Sequence, residues 1–277
     1  MALQLTSIWR YPVKSCRGEE LTEGQVEPWG LAGDRRWMIV DGDGAVVTAR
    51  KYPRLVLVTP RLGGDHITLT SPDLPSLTVP VPTGAELVPV SVWASDLFAA
   101  PADDRAAAWL TKITDEPVRL VYLDDPTRRP TNPEYSLESD RVSFADGYPL
   151  LLTNDASLAA VNGWIAEGKR ADEGPVPMRR FRPSVVVSGA PAWAEDNWRR
   201  LRIGPVTFRN VKGCDRCVFT TIDPDTAVAG HEPLFALARH RRWDNKIWFG
   251  VNLIPDLPDG ASPGAVIRPG DPVEILE

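Results

Sequence analysis

Sulfur and imidazole are scarce in this chain: its 277 residues hold three cysteines, three histidines and three methionines. An odd cysteine count, with two of the three at Cys214 and Cys217, makes a poor disulfide framework for a chain of this size and suits a reducing compartment. A structural zinc site needs four ligands, yet beyond the pair only Cys16, His66, His231 and His240 remain, none in paired spacing. Three cysteines cannot supply the four thiolates of an iron–sulfur cluster, and no Gly-x-Gly-x-x-Gly nucleotide fingerprint is present. No apolar run approaches the roughly 20 residues that span a bilayer. The stretch from Met1 to Arg10 lacks the basic-then-apolar order of a secretory signal. A soluble, cytoplasmic protein without a membrane partner is therefore expected. The formal charge of −6 argues against nucleic acid as a partner, because phosphate backbones call for a clustered basic surface.

What the chain does have is 27 prolines, 43% apolar residues and many short β-branched runs between turn residues. That pattern implies a mostly β, α+β fold with few helices. Strands are expected at residues 6–13, 54–59, 66–70, 86–92, 118–123, 183–188, 201–211, 249–254 and 273–276, with a hairpin of 36–41 and 45–50 about Asp41-Gly42-Asp43-Gly44. That loop is not an EF-hand, which would need an oxygen ligand at Ala45 and a bidentate Glu where Tyr52 stands. Helices are expected over 103–114, over a stretch capped by Asn154 or Asp155 and closed by Gly168, and over 234–242 with Pro233 in its first turn. Residues 124–147, rich in Pro, Asp, Arg and Ser, form a connection long enough to be functional or mobile. The domain boundary is placed just before it, giving domains of residues 1–122 and 123–277.

The densest chemistry lies in Gly213-Cys214-Asp215-Arg216-Cys217-Val218-Phe219-Thr220-Thr221. Lys212 and Arg216 flank the thiols, and a nearby cation stabilises a thiolate, which lowers its pKa and makes it a better nucleophile or metal ligand. A thioredoxin-like pair would open a helix, whereas residues 218–222 are β-branched and aromatic and are expected to continue as a strand. What remains open is an inert buried pair or a single reactive or metal-bound thiolate in an anion site. Lys14, Ser15, Arg35, Arg182 and Arg216 stand at strand ends and turns. Each alone is a solvated surface residue, but together they could neutralise a phosphorylated ligand, since arginine forks suit phosphate and lysine supplies a point charge.

Tyr11-Pro-Val-Lys-Ser-Cys16, Gly33-Asp-Arg-Arg-Trp37, Phe181-Arg-Pro183, Ala194-Glu-Asp-Asn-Trp198, Cys214-Asp-Arg-Cys217 with Thr220-Thr-Ile-Asp-Pro-Asp225, and Gly270-Asp-Pro-Val273 occur in this order. The set resembles the motifs of MOSC-domain molybdenum enzymes, specifically the bacterial proteins similar to the mitochondrial amidoxime-reducing component. The resemblance covers nearly the whole chain. It implies a MOSC-associated N-terminal β-barrel domain followed by a β-rich MOSC domain, with a molybdenum cofactor (molybdopterin) held in the cleft between them. Cys217 matches the family's molybdenum ligand. Lys14, Ser15 and Arg35 match positions that hold the pterin and its phosphate, and Arg182, Ser184, Asp215, Arg216 and Asn252 complete the pocket. Three of these depart from the usual pattern. Ser184 stands where Asn is common, Asp215 where a small neutral residue is common, and Asn252 where the family varies. A nominal link of such domains to pyridoxal phosphate is not expected to hold here.

The reaction so implied is the two-electron reduction of a small N-hydroxylated substrate, an amidoxime, hydroxylamine or N-hydroxylated base. Its electrons would come from an external donor, a ferredoxin or a flavoprotein reductase, with Arg239-His-Arg-Arg242 as a docking patch. The alternative is a molybdenum-cofactor carrier or sulfur-transfer protein in which Cys217 bears a persulfide. Cys214 is expected to shape the site rather than to ligate.

Overall fold

The first strand of the chain, Gln4–Arg10, is the second strand from one edge of the sheet that the C-terminal half builds. It pairs antiparallel with Val185–Ser188 on one side and with Glu19–Leu21 on the other. From that edge a nine-stranded sheet runs through Val185–Ser188, Leu150–Asn154, Lys246–Pro255, Val206–Asp215 and Arg200–Ile203 to Val273–Ile275, with Arg242–Trp243 added to Lys246–Pro255. The computed structural model describes residues 2–257 and 264–277. A four-stranded sheet (Trp37–Val40, Arg119–Tyr122, Ser95–Pro101, Val88–Val92) and a three-stranded one (Thr59–Leu62, His66–Ser71, Leu74–Pro80) form the N-terminal β layer. A small third sheet joins Val266–Ile267 to Gly24–Glu27 and Gly30–Leu31. The fold is mostly β, as the strand-rich pattern implies.

Separate apolar clusters stand behind these layers. One packs Trp37, Leu55, Ile67, Trp109 and Leu110 in the N-terminal layer, and another packs Leu5, Leu152, Val185, Phe208 and Leu253 on the nine-stranded sheet. At about 1.5–3 kcal/mol per buried large apolar side chain, these clusters are the main stabilisation within each layer. Helix α1 (Asp104–Thr114) starts where the Asp103 carboxylate accepts the Ala106 N–H and stops at Asp115 in the left-handed region, burying Ala106, Trp109, Leu110 and Ile113. Helix α2 (Asp155–Ala166) is capped by Asn154, whose side-chain oxygen accepts the Ala156 N–H. Helix α3 (Leu234–His240) has the Glu232 carboxylate accepting the Ala236 N–H at its start. Among the described residues no helix is long and apolar enough to cross a membrane.

Four local expectations change. Residues 53–57 form a 3-10 turn, not a strand, because Pro53 fixes the first turn and leaves its missing N–H without consequence. The second arm of the expected hairpin is reduced to the bridges Val40↔Val46 and Ala45↔Ser91, while Asp41 Oδ1 closes the loop by accepting N–H bonds from Asp43 and Ala45. Residues 218–221 turn in a 3-10 coil rather than continue as a strand. Helix α3 ends at His240, and Arg242–Trp243 leaves it as a short strand.

Candidate functional site: a basic cleft around Cys217

Several backbone segments end at one place. The turn after Gln4–Arg10 brings Lys14 and Ser15, and the segment before Trp37–Val40 brings Arg35. Arg182 precedes Val185–Ser188, residues 145–149 lead into Leu150–Asn154, and Val206–Asp215 ends at the cysteines. The last strand pairs with Lys246–Pro255 through register shifts between Asn210 and Lys212 and between Gly213 and Asp215. Such bulges bend a strand and re-aim its side chains, which is how the Cys214–Cys217 stretch leaves the sheet. Asn252 Nδ2 donates to the Gly213 carbonyl at 3.2 Å and pins the departing backbone.

These segments line a cleft of about 820 Å³ counting its open mouth. Its wall carries five cations, Lys14, Arg35, Arg50, Arg182 and Arg216, against two carboxylates, Asp146 and Asp215. Ser15 (φ 70°), Arg35 (φ 46°) and Arg182 (φ 55°) are all left-handed. Non-glycine residues held there cost about 1–3 kcal/mol each and persist only where the surroundings impose them. Arg35 Nη1 donates to the buried Asp34 at 2.6 Å, and Asp34 also accepts the Tyr11 N–H at 2.7 Å. The guanidinium carbons of Arg35 and Arg182 lie 4.5 and 4.1 Å from the Tyr11 ring centroid. Arg182 Nη1 donates to the Cys16 carbonyl at 2.7 Å, and burial pulls its pKa down to about 10. Burial pushes the Tyr11 phenol up to about 12, and its oxygen has no hydrogen-bond partner among the described residues.

Lys14 is buried, with Nζ donating to the Phe144 carbonyl at 2.7 Å and to Asp146. Burial lowers its pKa to about 8 despite the Asp146 carboxylate that favours its charge. Burial alone would raise Asp146, but Lys14, by charge and hydrogen bond, and Arg50 outweigh it and hold the carboxyl below the usual range. Because that side chain faces the open cleft, water screens part of the attraction. Arg129 sets where Asp146 sits. It is buried and donates to the carbonyls of Ser143, Ala145 and Asp146 at 2.6, 2.6 and 3.1 Å. The Asp140–Arg209 pair, at 2.7 and 3.1 Å, ties the same segment to the cysteine-bearing strand.

The two thiols differ. Cys214 Sγ accepts from Arg216 Nη1 at 2.9 Å, and burial raises its pKa, with Arg216 opposing. This reverses the lowered pKa expected from flanking cations. Lys212, on the other side, lies 4.7 Å from the Tyr135 ring centroid and is absent from the cleft wall. Cys217 is half-buried on the wall and heads the 3-10 turn, its carbonyl accepting from Thr220 Oγ1 at 3.0 Å. Among the described residues no hydrogen bond reaches its sulfur. Cys16 is fully buried, its thiol pushed up to about 12 by burial, and lies outside the cleft.

Of the residues singled out from sequence, the cleft wall includes Lys14, Ser15, Arg35, Arg182, Asp215, Arg216, Cys217 and Asn252. Ser184 is not part of it. Its hydroxyl accepts the Leu151 N–H at 3.2 Å, joining two strands behind the cleft. Asp215 is exposed, and Arg216 gives its Nη groups to Cys214 Sγ and the Phe181 carbonyl rather than to that carboxylate. Sequence reasoning missed Asp146, Arg50 and Tyr148 on the wall and Arg129 behind it. The run Phe144-Ala-Asp-Gly-Tyr-Pro149, turn residues directly before a strand, was the available signal.

Comparison with known proteins defines the class first. Residues 2–117 match the family described as MOSC N-terminal beta barrel domain, and residues 139–274 match the MOSC domain. Mitochondrial amidoxime-reducing component 1 of Homo sapiens is 33% identical over 287 residues, covering 98% of this chain and 82% of that protein. Mitochondrial amidoxime reducing component 2 of Rattus norvegicus is 34% identical over 256 residues, covering 88% and 74%. Mitochondrial amidoxime-reducing component 1 of Danio rerio is 34% identical over 254 residues, covering 87% and 76%. The chain belongs to this family of MOSC-domain amidoxime-reducing components.

Proposed function

We propose that the protein is a molybdenum-cofactor-dependent reductase of small N-hydroxylated compounds, amidoximes, hydroxylamines and N-hydroxylated bases, with the Cys217 thiolate as the metal's protein ligand. The observation that carries this reading is the position of Cys217 on a wall with five cations, where Arg35, Arg182 and Ser15 beside Lys14 are held in the left-handed region. The relatives' names, amidoxime-reducing components, support it. Among the described residues no three His, Cys, Asp or Glu side chains form a metal-binding group, so in this reading the metal's other donors arrive with the cofactor.

The residues present fit such a group. Arg216 Nε is buried without a hydrogen-bond partner among the described residues, and the cationic excess calls for an anion. Lys14, Ser15, Arg35 and Arg182 would hold the pterin and its phosphate. Arg216 would neutralise charge beside Cys217, Asn252 would keep the cysteine strand in register, and Asp215 would contribute its backbone N–H. Ser184 serves from behind, through Leu151. When bound, the cofactor supplies the two-electron chemistry that side chains lack, and the protein supplies position and electrostatics. Converting N–OH to N–H and water takes two electrons and two protons, and the electrons come from an external donor protein. The test is anaerobic reduction of benzamidoxime with dithionite. Turnover by wild type and Cys214→Ala but not by Cys217→Ala is expected. A fully loaded wild-type protein that does not turn over would instead favour a carrier.

A further inference from the structure

The residue after Cys217, Val218, is about half exposed, and the turn that it opens packs against α3. Helix α3 exposes Phe235 and Arg239, and the hairpin Arg242–Trp243/Lys246 that follows it exposes Arg242, Trp243 and Lys246. Trp243, 45% exposed, is held from several directions. It stacks on Trp248 with ring centroids 5.8 Å apart, its carbonyl accepts from Trp248 Nε1 at 3.1 Å, and the Arg241 guanidinium lies 4.7 Å from its ring. Arg241 is fixed in turn by Asp196 and by the Trp193 ring 4.3 Å away. An exposed tryptophan already locked in place loses little entropy on binding, which is the profile of an interface anchor.

Beneath it, Trp248 lies on Gly213, where an added Cβ would sit 3.0 Å from the ring. The contact sequence Trp243, Trp248, Gly213 therefore leads from the surface to the strand that carries Cys214 and, three residues on, Cys217. In the same helix and hairpin, the exposed Arg239, Arg242 and Lys246 have no carboxylate within ion-pair distance among the described residues; Lys246 stands opposite Trp243 in the hairpin, while Arg241 is paired and His240 stacks on Trp164 at 4.3 Å. The only acid between Arg239 and Lys246 is Asp244, in the hairpin turn. In a chain of net charge −6, three exposed cations without a carboxylate partner among the described residues, on the helix and hairpin that carry a fixed aromatic, make a local surface complementary to an acidic partner.

We propose that this face docks a small acidic iron–sulfur carrier of the ferredoxin type, which delivers electrons towards Cys217 past Trp243 and Trp248. The proposal rests on the reductase reading. Each reduced carrier is oxidised by one electron, so two dock in succession per N–OH reduced, with two protons taken from water. The test uses the holoprotein, benzamidoxime and two donors: an acidic [2Fe–2S] ferredoxin kept reduced by its NADPH reductase, and dithionite. The double variant Arg242→Glu/Lys246→Glu changes only exposed side chains. It is expected to raise the KM for ferredoxin roughly tenfold or more and to flatten its salt dependence, with dithionite-driven kcat unchanged. Trp243→Ala is expected to raise the same KM. A ferredoxin KM within about twofold of wild type in the double variant would overturn the docking face. A wild type driven by dithionite but not by ferredoxin would overturn the occupant. A loaded wild type inactive with both donors would instead sink the reductase reading beneath them.

Discussion

Replacing Arg129 by Met removes the side chain that fixes one whole wall of the cleft from behind. Arg129 is 3% exposed and serves three carbonyls, those of Ser143, Ala145 and Asp146. Hydrogen bonds from a charged group contribute about 1.5–3 kcal/mol each. Against that stands the desolvation of the guanidinium, which lowers its pKa from 12.5 to about 10 and corresponds to about 3 kcal/mol. The difference leaves a net loss of roughly 3 kcal/mol, with the carbonyls abandoned in a buried setting. For a chain of this size each kcal/mol moves Tm by about 2–4 °C, so Arg129→Met is expected to lower it by about 6–12 °C in a thermal scan followed by circular dichroism. Arg129→Lys is expected to lose most of the same amount, because one ammonium cannot span three acceptors as a planar fork does. A Tm within about 2 °C of wild type would refute the idea that Arg129 holds this segment.

Four further outcomes are expected. Lys14 is charged below its folded pKa of about 8 and neutral above, whereas unfolded it keeps its proton to 10.5. The unfolded chain thus binds more protons between those values, and the stability lost by burying the charge is recovered as pH rises through that window. Phosphate affinity of the cofactor-free protein, followed by calorimetry, should fall above about pH 8, and Lys14→Gln should abolish that dependence; a flat profile in wild type would contradict it. Asp140→Asn leaves Arg209 half-paired and should cost about 2–4 kcal/mol in urea unfolding, against no change if the pair is ornamental. Ser184→Ala should lower stability by about 1 kcal/mol and leave cofactor content untouched, because its hydroxyl serves Leu151; loss of cofactor would return Ser184 to the site. Gly213→Leu should displace Trp248, read as a changed tryptophan near-UV signal, since its Cβ alone would be 3.0 Å from that ring.

What could be read in the chain depended on the range of the force involved. The caps Asp103 and Asn154 act within a few residues, and the helices that they open were legible. So was the strand-rich class, since short β-branched runs between turns carry it. The 3-10 turn at Val218–Thr221 was not, because its β-branched and aromatic residues suit a strand. There the Thr220 and Thr221 hydroxyls bond back to the carbonyls of Cys217 and Val218 and close the backbone into a coil. The cationic residues Lys14, Arg35, Arg182 and Arg216 were visible as a set, yet their convergence depends on Gln4–Arg10 crossing into the C-terminal sheet, a pairing with no local signature. Asp146 and Arg129 stayed hidden for the same reason. A polar stretch of Pro, Asp and Ser reads as an exposed loop until a buried guanidinium gathers its carbonyls.

Molybdenum and pterin content of the protein purified from a cofactor-competent host measures most directly whether Cys217 holds a metal in this cleft. About one molybdenum and one pterin per chain is the expected result, retained in Cys214→Ala and with the metal lost in Cys217→Ala. Wild-type protein without molybdenum, or a Cys217→Ala variant that keeps it in full, would contradict the assignment.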